Sequence, residues 1–243
     1  MDAAADPVTR YSVTHVRNSS LWRAAGAMSA DFSDGPAAAM RMSAASTRTR
    51  DLILDAALAT ALDVGFRRTT LTGVAQRAGV SRMTAYRHFD DHDALMRALM
   101  RREFGKSLAT IETAVDAMAP TSATQRLVSL SSAAVREIGS HPLLRKGLES
   151  DPDLLMPYIV EHLGSTQRFA DTLLQGLLHD AQTSGSGTFT DPRATSMLIL
   201  LTSSVLIWSS KILENEGLSE AVLTEWQRVL PLILGNGIVG KAS

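Results

Sequence analysis

From about Thr49 to the C-terminal region, apolar residues recur every three or four positions, the spacing of one helix face. In "TRDLILDAALATALDVGF" (49–66), Ile53, Ala56, Ala57, Thr60 and Ala61 share a stripe, which predicts an amphipathic helix with Gly65 as its stop. "TTLTGVAQRAG" (69–79) predicts a short second helix capped by Thr70, and "SRMTAYRHF" (81–89) a third. From Asp91 to about Met118, the apolar positions Leu95, Leu99, Phe104, Leu108, Ile111 and Val115 predict a long fourth helix, ended by Pro120. Further helices are expected at about 122–139, 142–149, 153–183, 191–213 and 219–236, with Pro142, Pro152, Pro157 and Pro192 at starts or kinks. "TSGSGTF" (183–189) reads as a loop. No segment alternates as a strand would, and no repeat is present, so the fold class is all-α.

Residues 1–46 are rich in Ala, Ser and Asp without a sustained period, and a disordered extension is expected there. Met28, Met40 and Met42 lie just ahead of the patterned region, and one of them is expected to be the natural start. The most apolar run, "MLILLTSSVLIW" (197–208), is interrupted by Thr202, Ser203 and Ser204. It falls short of the roughly 20 residues a membrane span needs, so a buried helix is expected. The N-terminal region lacks a continuous apolar signal segment. A cytoplasmic protein without a membrane partner is the expectation.

Composition narrows the chemistry. The chain has 243 residues, 45% of them apolar, and no cysteine. A disulfide framework, a zinc–thiolate site and a cysteine nucleophile are therefore excluded. The net charge of −1 hides an asymmetry. Residues 41–106 carry 12 Lys/Arg against 7 Asp/Glu, whereas residues 107–243 carry 9 against 14. A basic segment joined to an acidic one suggests that only the first approaches a polyanion.

That basic segment contains "LTGVAQRAGVSRMTAYRHF" (71–89), two short helices meeting at Gly79. A sharp turn needs a residue that tolerates a left-handed backbone, and glycine does so without steric cost. Ala75 is small where the helices approach, and Val74 and Val80 supply apolar contacts beneath the turn. Ser81 is placed to cap the third helix. This is a helix-turn-helix, whose second helix enters the major groove. Arg82 and Met83 stand at its N-terminal end, where guanine edges and thymine methyls are reached. Thr84, Tyr86, Arg87 and His88 suit phosphates, which position the helix.

Residues 50–97 resemble the DNA-binding domain of the TetR (tetracycline-repressor-like) family. The matching residues are Ala56-Ala57, Gly65-Phe66, Thr70, Val74-Ala75, Ala78-Gly79-Val80-Ser81, Thr84, Tyr86, His88-Phe89, Asp93 and Leu95. Two positions depart from the family's pattern. Met83 stands where a small residue is usual, and His92 stands where a phosphate-contacting lysine is usual. A phosphate role for His92 would make DNA affinity rise as the pH falls through its titration. The resemblance implies three regions: the extension at 1–46, a DNA-binding domain at 47–95, and an effector-binding and dimerisation domain at 96–243. It further implies a homodimer in which the helices at 191–213 and 219–236 pair across a two-fold axis. Leu198, Leu201, Val205, Val222, Trp226 and Leu230 are the expected interface residues. Met156, Tyr158, Phe169, Leu173 and Trp208 are the expected lining of a pocket for a mostly apolar small effector, with Pro157 kinking one pocket helix. The expected partners are double-stranded operator DNA, the effector and a second copy of the chain.

Other chemistries find less support. His88 and His92 are four apart, but Phe89-Asp90-Asp91 reads as a helix break, so their spacing is not that of a metal pair on one helix. The three carboxylates Asp90, Asp91 and Asp93 suit the start of helix four, one of the first two as its cap. No Gly-x-Ser-x-Gly elbow and no phosphate-binding Gly-x-x-x-x-Gly-Lys loop is present. Neither a catalytic residue, a metal nor a cofactor is expected. A constitutive DNA-binding protein without an effector is an alternative reading, and an enzyme with a helical substrate domain is a weaker one.

Overall fold

The computed structural model describes residues 44–161 and 163–235, for 44, 157–160 and 165 the backbone alone. The extension up to residue 43, with the candidate starts Met28, Met40 and Met42, lies outside them. Helices account for the regular structure, and no strand occurs among the described residues. In chain order they are α1 (Ala44–Val64), α2 (Leu71–Arg77), α3 (Arg82–His88), α4 (His92–Ala117), α5 (Ala123–Gly139), α6 (Pro142–Ser150), α7 (Pro152–Val160), α8 (Ser165–Thr183), α9 (Pro192–Trp208), α10 (Ser210–Asn215) and α11 (Ser219–Ile233). No described helix is long and apolar enough to cross a membrane.

Three boundaries differ from the sequence pattern. Helix α1 starts at Ala44, ahead of the expected Thr49, because Ala44 and Ala45 favour helix even without an apolar stripe. The helix expected over 153–183 is two helices. Pro157 lies within α7 and does not end it. The chain breaks at Gly164, which is extended (φ −71°, ψ 170°) and whose N–H donates to Gln167 Oε1 at 2.8 Å to open α8. The helix expected over 191–213 is interrupted at Ser209. Its N–H still donates to Val205 O at 2.9 Å, so the interruption is one residue long.

Two apolar cores result. In the first, Ile53, Ala57 and Ala61 of α1 meet Val74 and Ala75 of α2, Ala85 of α3, and Leu95 and Leu99 of α4. Leu143 and Leu144 of α6 and Leu155 of α7 belong to this same core. The helix-turn-helix is thus not an independently filled unit, since C-terminal helices complete its interior. In the second, Leu127 of α5 packs with Leu177 and Leu178 of α8, Ile199 of α9, and Trp226 and Leu230 of α11. Helix α5 is central there, packed against α4, α8, α9 and α11. Polar groups inside it are paired in part: Trp226 Nε1 donates to Ser131 Oγ at 3.2 Å, and Ser131 and Ser203 share a 3.1 Å hydrogen bond.

The first core extends to the loop between α1 and α2. Gly65 has φ +90°, and a Cβ there would lie 3.0 Å from Asp151 Oδ2. Both the turn and the close approach require glycine. The Phe66 N–H donates to Asp151 Oδ2 at 2.7 Å, and the Phe66 ring lies against Gly147, where a Cβ would fall 2.7 Å from Cε2. Asp151, between α6 and α7, is itself only 6% exposed.

Candidate nucleic-acid interface

Helix α3 owes its presentation to local chemistry at both ends. The α2–α3 turn is closed by the Gly79 N–H to Gln76 O at 3.2 Å and the Val80 N–H to Ala75 O at 3.0 Å. This pairing satisfies the last carbonyls of α2 and puts Gly79 at φ +68°. Ser81 Oγ then accepts the Thr84 N–H at 3.0 Å and lies 2.8 Å from Thr84 Oγ1. Thr70 caps α2 in the same way, accepting the Gly73 N–H at 3.1 Å.

The seven-residue helix seats itself on one fully buried side chain, Ala85. Arg82, Met83, Tyr86 and Arg87 all face outward, Met83 at 78% and Tyr86 at 50% exposure. Arg82 and Arg87 enter no ion pair among the described residues. Their neighbours do: Arg67 pairs with Asp151 and Asp153, and Arg77 with Asp63. At its C-terminal end α3 is fastened to α1. Arg50 Nη1 donates to His88 O at 3.1 Å while the guanidinium lies 4.5 Å from the Phe89 ring centroid.

The two histidines expected to meet phosphate, His88 and His92, both have surroundings within the chain. His88 is half-buried, and its Nε2 is buried without a partner among the described residues. Burial first, then the charges of Arg87 and Arg50, hold its pKa below the ordinary histidine value. His92 has both ring nitrogens engaged within the chain, Nε2 with Phe66 O at 3.0 Å and Nδ1 with Asp93 Oδ1 at 3.1 Å. It ties the start of α4 to the loop after α1. The nearby carboxylate Asp91 caps α4, accepting the Ala94 N–H at 2.6 Å. His88 and His92 lie on different helices, and no group of metal-ligating side chains occurs among the described residues.

The C-terminal candidates divide. Leu198, Leu201 and Val205 of α9 are 46–57% exposed, and Val222 of α11 is half-exposed. Trp226 and Leu230 are a correction: at 5% and 0% exposure they fill the chain's own second core, one helix face away from solvent. Exposed Val229 and Leu232 occupy the outer side of α11 instead. Of the pocket candidates, Met156 is 46% exposed, Phe169 and Leu173 are half-exposed on α8, and Trp208 packs against the first core. The side chain of Tyr158 lies outside the described residues. A cleft of about 390 Å³ opens elsewhere, between Phe189, Thr195 and Leu198 on one side and Leu232 and Ile233 on the other.

Sequence reasoning missed the contacts of Arg50, Phe66 and Asp151. No local signal marks them, because each acts through a contact 38 to 85 residues away in the chain.

Comparison with known proteins agrees with this geometry. A sequence model described as "Bacterial regulatory proteins, tetR family" matches residues 53–99. An uncharacterized HTH-type transcriptional regulator of Mycobacterium tuberculosis is 30% identical over 178 residues, which is 73% of this chain and 90% of the relative. The HTH-type transcriptional repressor LfrR of Mycolicibacterium smegmatis is 34% identical over 112 residues, 46% of this chain and 58% of that protein. Among solved structures, a TetR-family regulator from Pectobacterium atrosepticum superposes with a TM-score of 0.60 at 20% identity, covering 83% of this chain and 99% of its own.

Proposed function

Because the chain belongs to the TetR family of bacterial transcriptional regulators, we propose that it is a homodimeric repressor of a palindromic operator, released by a small, mostly apolar effector. The observation that carries the DNA reading is the outward row Arg82, Met83, Tyr86 and Arg87 on a helix seated by Ala85. An α-helix rises about 1.5 Å per residue, so α3 reaches only a few base pairs. One such contact gives little specificity, whereas two copies about 34 Å apart on one DNA face multiply it. Arg82 reads guanine bidentately and Met83 packs on a thymine methyl, while Thr84, Tyr86 and Arg87 hold phosphate. Thr70 and Ser81 set the two helices by capping them.

The exposed apolar row Leu198, Leu201 and Val205, with Val222, Val229 and Leu232 of α11, supports the dimer. A monomer rarely leaves so long an apolar face in water. The repressor sense draws on LfrR, which is itself named a repressor. The effector would enter beside the α7–α8 break, which Met156 and Phe169 flank, with Leu173 one turn further along α8. An effector can release DNA only through stronger binding to the form whose heads do not fit the operator.

Selection of bound duplexes from a random pool, repeated with candidate apolar ligands, tests this reading. A two-fold symmetric motif should be enriched, and one ligand class should abolish the enrichment. Enrichment of no motif, or of an asymmetric one, would refute the operator reading.

A further inference from the structure

We infer that Asp151 is a positioning residue for DNA reading, through which the α6–α7 elbow sets the tilt of the helix-turn-helix. The inference rests on the DNA-binding function proposed above. Asp151 lies outside the helix-turn-helix and is buried, yet its carboxylate holds the backbone from which α2 departs. It accepts the Phe66 N–H at 2.7 Å and the Arg67 N–H at 3.4 Å, and lies 3.6 Å from the Arg67 guanidinium. A buried carboxylate is costly unless it is paired and hydrogen-bonded, and here its partners are all in this one loop. The other side of the same peptide is also held: Phe66 O meets His92 Nε2 at 3.0 Å. The loop is therefore attached both to the α6–α7 elbow and to α4.

The apolar side of the seat is equally close. The Phe66 ring is 4% exposed and sits on Gly147 of α6, with Leu155 of α7 beside it. At Gly65 any Cβ would meet Asp151 and Ser150. A shift of α6 relative to α7 cannot leave this loop in place, because interiors packed this densely transmit displacement rather than absorb it. Five residues on, α2 begins, and the α2–α3 turn passes the displacement to the outward row of α3.

The test uses the full chain and two variants that disturb the seat differently. Asp151→Ala removes the acceptor, and Gly147→Ala drives a methyl into the Phe66 ring while adding a better helix former. Asp151→Asn keeps a carbonyl oxygen that can accept the Phe66 N–H. Amide hydrogen exchange at Phe66 and binding to the selected duplex and a scrambled one are measured together. In Asp151→Ala, Phe66 exchange should accelerate about tenfold or more, the scale of one lost buried hydrogen bond, with Ile199 and Leu230 unchanged. Discrimination between the duplexes should fall in Asp151→Ala and Gly147→Ala, with the helical circular-dichroism signal retained, and Asp151→Asn should restore most of it. Should Asp151→Ala not fold, Gly147→Ala decides alone. Unchanged Phe66 exchange in a folded Asp151→Ala, or unchanged discrimination in a folded Gly147→Ala, would overturn the inference. Failure of the wild type to prefer any duplex would overturn the DNA-reading proposal first, and would be seen before any variant is made.

Discussion

Arg82 and Tyr86 leave α3 on its exposed side, but the proposed DNA contact asks different things of them. A guanidinium at the helix N-terminal end presents two parallel donors to guanine O6 and N7. A phenol about one turn further on presents one hydroxyl to a phosphate oxygen, which is the same at every sequence. Arg82→Ala should therefore cost about 1–3 kcal/mol at one operator position and flatten the preference there. Tyr86→Phe should weaken binding to selected and unrelated duplexes alike. Titration against a set of singly substituted duplexes distinguishes the two, and the reverse pattern would undo the assignment of roles. Gly79 makes a purely conformational demand. At φ +68° a Cβ would meet nothing within 4 Å, so crowding plays no part. Gly79→Ala should still destabilise by about 1–2 kcal/mol, the cost of the left-handed backbone, read from urea unfolding.

At the scale of elements, the pair α9 and α11 shows how one helix serves two surfaces. Helix α11 turns Leu223, Trp226 and Leu230 inward and Val229 and Leu232 outward. Helix α9 turns Ser196, Ile199, Leu200 and Ser203 inward, and Leu198, Leu201 and Val205 outward. Substitutions on the two sides should behave differently. Leu201→Glu with Val205→Glu puts charge into the proposed interface and should give a monomer by sedimentation that no longer binds operator. Trp226→Ala should cost about 3–5 kcal/mol of stability by opening a cavity and freeing Ser131. A Leu201→Glu/Val205→Glu protein that sediments as a dimer would place the interface elsewhere.

At the scale of the whole molecule, two of the described histidines couple stability to pH. His141 caps α6, its Nδ1 accepting the Leu143 N–H at 3.2 Å, and its ring stands edge-on to Phe104. Burial holds its pKa below the ordinary value, partly opposed by Glu103, and His88 is lowered as well. For a base with a lowered folded pKa, the unfolded chain takes up the proton first, so unfolding gains as the pH falls. Stability should be full above the ordinary histidine value of about 6.5 and decline as the pH drops from there through the lower folded values. Asn at 141 caps a helix without titrating. His141→Asn should therefore flatten part of that decline in urea midpoints measured across this range. An unchanged slope would mean that other groups carry the dependence.

By itself the sequence determined the helical class, most helix bounds and the helix-turn-helix, because these depend on local chemistry. Apolar periodicity, Ser81 as a cap, one of Asp90 and Asp91 as another, and Gly79 at the turn each act within a few residues. Arg82 and Tyr86 were legible on α3 for the same reason, whereas the seating of that helix on Ala85 came from the structure. Tertiary structure alone decided which apolar face of α11 is core, because both faces carry large apolar residues and only packing against α5 and α8 separates them. It also set His88 Nε2 in the interior and His92 Nε2 on the carbonyl of Phe66. Finally, it joined Asp151 to Phe66 across 85 residues, a contact that no pattern along the chain encodes. Hydrogen bonds of that range depend on where two helices come to rest, and that is settled by the whole core at once.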